Sequence, residues 1–245
     1  MLEVVGLVKR FGALAATDGL DLAVAAGECR AVIGPNGAGK TTLINQITGE
    51  IAPDAGRIRF RGRDVTMLPV HARARMGLAR SYQITSVMPG FTAEDNVAVA
   101  VQAGQGHSFR FLADARRDRR LREPARALLE QVGLGGRADV PAALMSHGEH
   151  RQLELAMALA GEPAMLLLDE PMAGMGGEDA ARMVAALKAL KGRYTMMLVE
   201  HDMDAVFALA DSITVLVYGR AIATGTPEAI RADPAVRAAY LGEEE

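Results

Sequence analysis

Within eight residues, the segment "GPNGAGKT" joins Gly34, Gly37 and Gly39 to Asn36, Lys40 and Thr41. Its spacing is G-x-x-x-x-G-K-[ST], and it lies between an apolar strand-like run ending at Ile33 and a helix-spaced run beginning near Thr41. Glycines let a backbone curl until its N–H groups face inward, which suits a cradle for phosphate oxygens. Lys40 can reach the β and γ oxygens, the Thr41 hydroxyl can ligate Mg2+, and Thr42 continues the first turn.

A second stretch, "MLLLDE", ends a buried apolar run in two acids. Asp169 there suits the second shell of Mg2+, and Glu170 can polarise or deprotonate an attacking water. A third stretch, "MSHGE", has Ser146 and Glu149 in capping-box spacing at the head of an apolar-periodic helix, with Gly148 bare between them. A bare, capped helix start is a second place suited to an anion.

The elements that must position these groups alternate. Short strands are expected in "EVVGLVKRF", "LDLAVAAG" and "ECRAVIG", a helix in "TTLINQITGEI" and a strand in "GRIRFRGRDVT". "HARARMG" reads as a short helix. From about Ile84 to Leu144 strand signals vanish and an arginine-rich helical insert takes over. "AMLLLDE" and "YTMMLVEHD" are compact apolar runs bounded by charge, as buried parallel strands are, with a helix between them. A hairpin, "SITVLVYGRAIATG", and a helical tail finish the chain. In the helix headed by "MSHGE", Leu153, Leu155, Met157 and Leu159 are expected to bury one side.

Bulk composition narrows the function classes. The 245 residues are 50% hydrophobic and 23% charged, so they can build a substantial core. A formal net charge of −3 argues against general polyanion binding. The arginines of residues 110–126 are diluted by acids and lack interleaved aromatics, so no nucleic-acid partner is expected. Cys29 is the one cysteine, expected as a small buried residue. No apolar run has the length of a membrane span, and the first residues carry no secretory signal.

With these motifs in hand, the chain resembles the ATP-binding subunit of an ABC transporter along nearly its whole length. "MSHGE" matches the family's signature, Gln83 in "RSYQIT" its lone glutamine, His201 in "VEHDM" its histidine, and Phe11 in "VKRFGAL" its adenine-stacking aromatic. The resemblance implies an α/β P-loop NTPase core with an N-terminal antiparallel β subdomain and a helical insert. It divides residues 1–245 into a core of 1–83 and 150–226, a helical signature subdomain of 84–149 and a tail of 227–245.

It also implies ATP and Mg2+ as cofactors, with Glu170, His201 and Gln83 catalytic and Thr41, Gln83 and Asp169 at the metal. Phe11, Gly34, Asn36, Gly37, Gly39, Lys40, Thr41 and Thr42 would hold the nucleotide. Ser146, Gly148 and Glu149 would address the ATP of a second ATPase subunit paired head to tail. Three departures stand out: His147 for the first signature glycine, Glu149 for the signature glutamine, and Gly176 where family members carry aspartate or asparagine.

Within the family, "EHDMDAVFALAD", "GTPEAIRADPAVRAAYLGE" and the insert length are similar to ATPases importing branched-chain and other hydrophobic amino acids, amides or urea. "LPVHARARMG" is similar instead to the ATPase of lipopolysaccharide export. A soluble non-transport ABC ATPase and a P-loop kinase are further alternatives. The importer reading implies transmembrane permease subunits, an indirect periplasmic binding protein and a place on the cytoplasmic face of the inner membrane.

Overall fold

A computed structural model describes residues 1–81, 87–105 and 118–241. Gln83, Arg110, Arg116, Arg117 and the last four residues of the tail lie outside the described residues. The chain forms two compact units: residues 1–80, 164–170 and 191–245, and residues 81–163 and 171–190.

The first unit holds an antiparallel sheet and a mostly parallel one. The antiparallel sheet has the order β2-β1-β4-β5, from β1 (Leu2–Phe11), β2 (Leu14–Val24), β4 (Ala55–Phe60) and β5 (Arg63–Asp64). The other has the order β10-β9-β3-β8-β7-β6. Its strands are β3 (Cys29–Ile33), β6 (Leu78–Ser81), β7 (Met165–Asp169), β8 (Thr195–Val199), β9 (Ser212–Val217) and β10 (Arg220–Gly225). β3 is parallel to β8 and β9, and β7 is parallel to β8. All five residues of β7 and of β8 are buried, which is why they read as unbroken apolar runs.

The two faces of this sheet feed separate cores. Val32, Leu167, Met197 and Leu216 join the antiparallel sheet and α1 (Lys40–Thr48), while Ala31, Ile33, Ile213 and Val215 pack with later helices. Those helices are α7 (Met203–Leu209), α8 (Pro227–Ala232) and α9 (Pro234–Leu241). Cys29 is buried as expected, and burial pushes its thiol up to about 12.

The short helix expected in "HARARMG" is α2 (Val70–Arg75), and it carries an unforeseen role. Arg73 is 2% exposed. Its guanidinium donates to the carbonyls of Gln46 and Ile47 at 2.7 Å and of Thr66 and Leu68 at 2.9 Å. A cation thereby supplements the Gly49 N–H, which already donates to the Gln46 carbonyl, at the end of α1 where the helix dipole is negative. Gly49, the C-cap, has φ 88°, and a β-carbon on it would lie 2.8 Å from the Arg73 Nε. Glycine is required there by both backbone and neighbour.

The second unit is helical: α3 (Ala93–Gly104), α4 (Arg119–Gln131), α5 (His147–Leu159) and α6 (Gly177–Leu190). Residues 150–163 and 171–190 group in this unit, where α5 and α6 pack on each other and on α4. Two details of the α5 face also differ from expectation. Met157 is only half-buried, and Gln152 is buried instead, donating to the Val132 carbonyl at 2.6 Å.

Replacing Arg73 by methionine should strand several buried carbonyls. The expected loss is about 3 kcal/mol or more of stability, seen as a melting point lower by roughly 6 °C or more in calorimetry. A midpoint within a degree of wild type would show that water replaces the guanidinium at no cost.

Candidate functional site

The first unit gathers most of the chemistry at the carboxyl ends of its parallel strands. The "GPNGAGKT" loop leaves β3 and runs into α1. Gly34, Gly37 and Gly39 have φ of 154°, 79° and 101°. Two of these glycines are needed for packing as well as for their φ angles. A β-carbon on Gly34 would fall on the Leu216 carbonyl oxygen, and one on Gly39 on that of Ala16.

The loop is thus pressed against β2 and β9. The β9–β10 turn locks it further: the Gly219 N–H donates to the Ala38 carbonyl, and the Asp18 N–H to that of Gly219, both at 2.9 Å. Lys40 folds over the loop, donating from Nζ to the carbonyls of Gly34 at 2.6 Å and Pro35 at 2.9 Å. No side chain caps the start of α1, and Thr41 beside it is exposed. Those N–H groups and the positive end of the dipole can therefore serve an anion.

Phe11 ends β1 at the hairpin tip, 49% exposed, with Lys9 Nζ 5.7 Å from the ring centre. An exposed ring on a rigid strand end is a stacking surface.

Asp169 closes β7 and is 4% exposed. Glu170 follows with φ 48°, while its N–H still donates to the Val199 carbonyl at 2.8 Å. A glutamate held in the left-handed region costs about 1 kcal/mol or more, and such strain concentrates where a side chain must be aimed. His201 lies past β8 with its side chain 69% exposed. The turn that carries it is set by Glu200, 1% exposed, whose Oε2 accepts from the N–H groups of His201 at 3.0 Å and Asp202 at 3.3 Å.

The second unit carries the signature. Ser146 caps α5: its hydroxyl accepts from the Glu149 N–H at 3.2 Å, and Glu149 returns a bond to the Ser146 N–H at 2.8 Å. The acid at this anion-suited start is also neutralised, because Arg137 Nε lies 2.8 Å from Glu149 Oε1. His147 is exposed, with Nε2 3.3 Å from the Ala173 carbonyl. Gly148 has a reason the sequence hid. A β-carbon there would fall on the carboxyl group of Asp179, with Oδ2 at 2.6 Å. Asp179 is itself held by Arg182 of α6.

Glu200, Arg137, Asp179 and the Tyr218–Gly219 turn were all missed as site residues. Only the turn left a trace in the sequence, the "YG" inside the expected hairpin.

A match to the ABC transporter family spans residues 17–173, and one to the family "Branched-chain amino acid ATP-binding cassette transporter" spans residues 222–245. The high-affinity branched-chain amino acid transport ATP-binding protein BraF of Pseudomonas aeruginosa is 38% identical over 250 aligned residues, covering 99% of this chain and 98% of its own. The corresponding protein LivG of Escherichia coli is 36% identical over 255, with coverage of 99% and 98%. Among solved structures, an ATP-binding cassette of an ABC transporter in its ADP conformation superposes with a TM-score of 0.86 at 29% identity, and 99% of each chain is covered. A nucleotide-free ATP-binding cassette gives 0.84 at 28%, again over 99% of each chain.

If Asp179 is what forbids a side chain at position 148, Gly148→Ala should destabilise the protein by about 1–3 kcal/mol through overpacking. Asp179→Ala in the same chain should recover most of that loss. Denaturant titration of both single variants and the double variant reads the coupling, and simple additivity would rule the contact out.

Proposed function

The chain belongs to the ABC transporter family, and from that membership we propose that it is the ATP-hydrolysing subunit of an importer for branched-chain or other hydrophobic amino acids. The observation that carries the choice of cargo class is the match of residues 222–245 to the branched-chain family, joined to full-length similarity to BraF and LivG. A lipopolysaccharide-type exporter and a non-transport ATPase are not favoured by it.

ATP fits the residues present. Phe11 offers a face for the base, the curled loop and the open start of α1 suit the phosphates, and Lys40 already spans the loop it would share with them. Mg2+ fits as well, since Thr41 offers a hydroxyl to the ion and Asp169 a carboxylate to one of its bound waters, while phosphates and waters would complete the shell. Bound there, the ion would neutralise charge on the β and γ phosphates.

The chain's own groups supply the rest. Lys40 and the α1 N–H groups hold the γ-phosphate, Glu170 accepts a proton from the attacking water, and His201 orients the phosphate. Gln83 belongs to this set by family resemblance. Ser146, Gly148 and Glu149 are assigned to the γ-phosphate of a second ATPase subunit, which closes head to tail. The Arg137 pair and the capping box support that assignment, because they offset the acid that replaces glutamine.

Among the described residues no helix is long and apolar enough to cross a membrane. The proposed place is the cytoplasmic face of the inner membrane, reached by docking to permease subunits, with a periplasmic binding protein acting through them. A cleft of about 180 Å3 in the helical unit, lined by Phe91, Val99, Leu121 and Arg122 among others, suits the docking. Phe91 and Val99 are 37% and 43% exposed. Burial would raise the Asp95 carboxyl at its rim, but bonds from Arg122 and Thr92 hold it below the usual range. An apolar floor with a fixed ion pair at the edge is how a protein surface sets register for a partner.

Lys40→Ala should abolish tight ATP binding in calorimetry, whereas Glu170→Gln should bind ATP normally, stop hydrolysis and accumulate an ATP-bound dimer in gel filtration. Turnover by Glu170→Gln near the wild-type rate would move the base elsewhere. For docking, Val99→Cys should cross-link to the permease. Buried Cys29 should stay silent under the same reagent. Cross-links arising only from α8 and α9 would put the contact elsewhere.

A further inference from the structure

Arg80 is the last residue before the segment containing Gln83 whose side chain the structure describes, and it joins three parts of the phosphate-binding unit. Its Nη2 donates to Asp169 Oδ2 at 2.9 Å. Its Nη1 donates to Asn45 Oδ1 at 2.7 Å and to both oxygens of Glu50 at 2.9 and 3.0 Å. Asn45 lies in α1 and Glu50 directly follows its C-cap. The side chains of Arg80 and Asp169 are 10% and 3% exposed, so the pair is well shielded from water. Arg80 opens the "RSYQIT" stretch that carries Gln83, but the nucleotide reading gives its side chain no role.

We propose that Arg80 is a positioning residue for Mg·ATP: it fixes the Asp169 carboxylate, through Oδ2, against the helix that carries Lys40 and Thr41. The inference rests on the reading of Asp169 as a Mg2+ partner. A carboxylate at a strand end can turn about its terminal torsion, and only one orientation presents the other oxygen, Oδ1, to a metal-bound water. The planar guanidinium removes that freedom because its two ends are pinned to different elements. A lysine, as a single point charge, could hold one partner but not the geometry of all three.

Glu50 balances the charge. One guanidinium shared by two carboxylates leaves a net negative charge on the trio, so Asp169 still attracts a dication. If Arg80 faced Asp169 alone, the pair would be neutral and its pull on Mg2+ weaker.

The test separates nucleotide affinity from metal dependence. ATP binding in the presence of EDTA reads the phosphate loop, and a Mg2+ titration of binding and turnover reads Asp169. For Arg80→Lys we expect ATP affinity in EDTA within about twofold of wild type. The Mg2+ needed for half-maximal binding should rise roughly tenfold, and kcat should fall by about as much at unchanged KM for ATP.

Glu50→Gln leaves the Arg80–Asp169 pair in place and should also raise the Mg2+ requirement, which keeps the idea testable if Arg80 variants fold poorly. Wild-type Mg2+ dependence in Arg80→Lys and Glu50→Gln would overturn the proposal. So would equal loss of ATP binding with and without Mg2+, since Arg80 would then only hold the loop. Asp169→Asn separates the two failures. If it too leaves Mg2+ dependence unchanged, the reading of Asp169 is wrong. If it raises the requirement while Arg80→Lys does not, only the role of Arg80 is wrong.

Discussion

A helix that offers its first turn to phosphate must be held everywhere else. α1 meets that constraint at its carbonyl end, along its flank and at its N-cap. Its carbonyl end is closed by the Arg73 guanidinium packed on Gly49. Its flank is tied to β2, where the buried Thr17 hydroxyl bonds Gln46 at 3.1 Å, and to Arg80 through Asn45. Its N-cap, Gly39, is pressed against the Ala16 backbone. The dipole therefore points at a fixed place, and the backbone groups of the loop need little reorganisation when an anion arrives.

The same economy governs the acids. Asp169 and Glu170 are adjacent in sequence but are handled differently. Asp169 completes a buried strand and is clamped by a guanidinium. Glu170 turns out of the ladder into a strained conformation while keeping its hydrogen bond to Val199. One backbone reversal thus sends two carboxylates to two jobs: a static one beside the proposed metal and a poised one beside the proposed water. Glu200 repeats the pattern on the neighbouring strand, a buried carboxylate holding the turn that exposes His201.

The signature helix in the other unit, proposed to meet an anion, is built by different means. Its cap and its own acid satisfy each other, and Arg137 cancels the charge that Glu149 brings. Asp179 fills the space beside Gly148. That contact ties the start of α5 to the start of α6, which follows the loop bearing Gly176. Where the family expects an acid or amide at position 176, this chain has glycine, and an acid three residues later packs directly on the signature.

The sequence by itself determined a good deal. Periodicity located most of the strands, the main helices and the final hairpin, because buried parallel strands and amphipathic helices leave local patterns, but it passed over β6. The phosphate loop, Asp169, Glu170 and the Ser146–Glu149 cap were readable for the same reason: each is a short-range arrangement of residue types. What only the tertiary structure decided were the partnerships across long separations. Arg80 meets Asp169 from 89 residues away, Arg73 reaches the α1 carbonyls from 26 and 27 residues away, and Asp179 meets Gly148 from a different helix. An arginine read along the chain is a surface charge, and a glycine is a gap. Only the fold shows which carbonyls that charge satisfies and which side chain that gap admits, because burial and contact depend on elements brought together from distant parts of the chain.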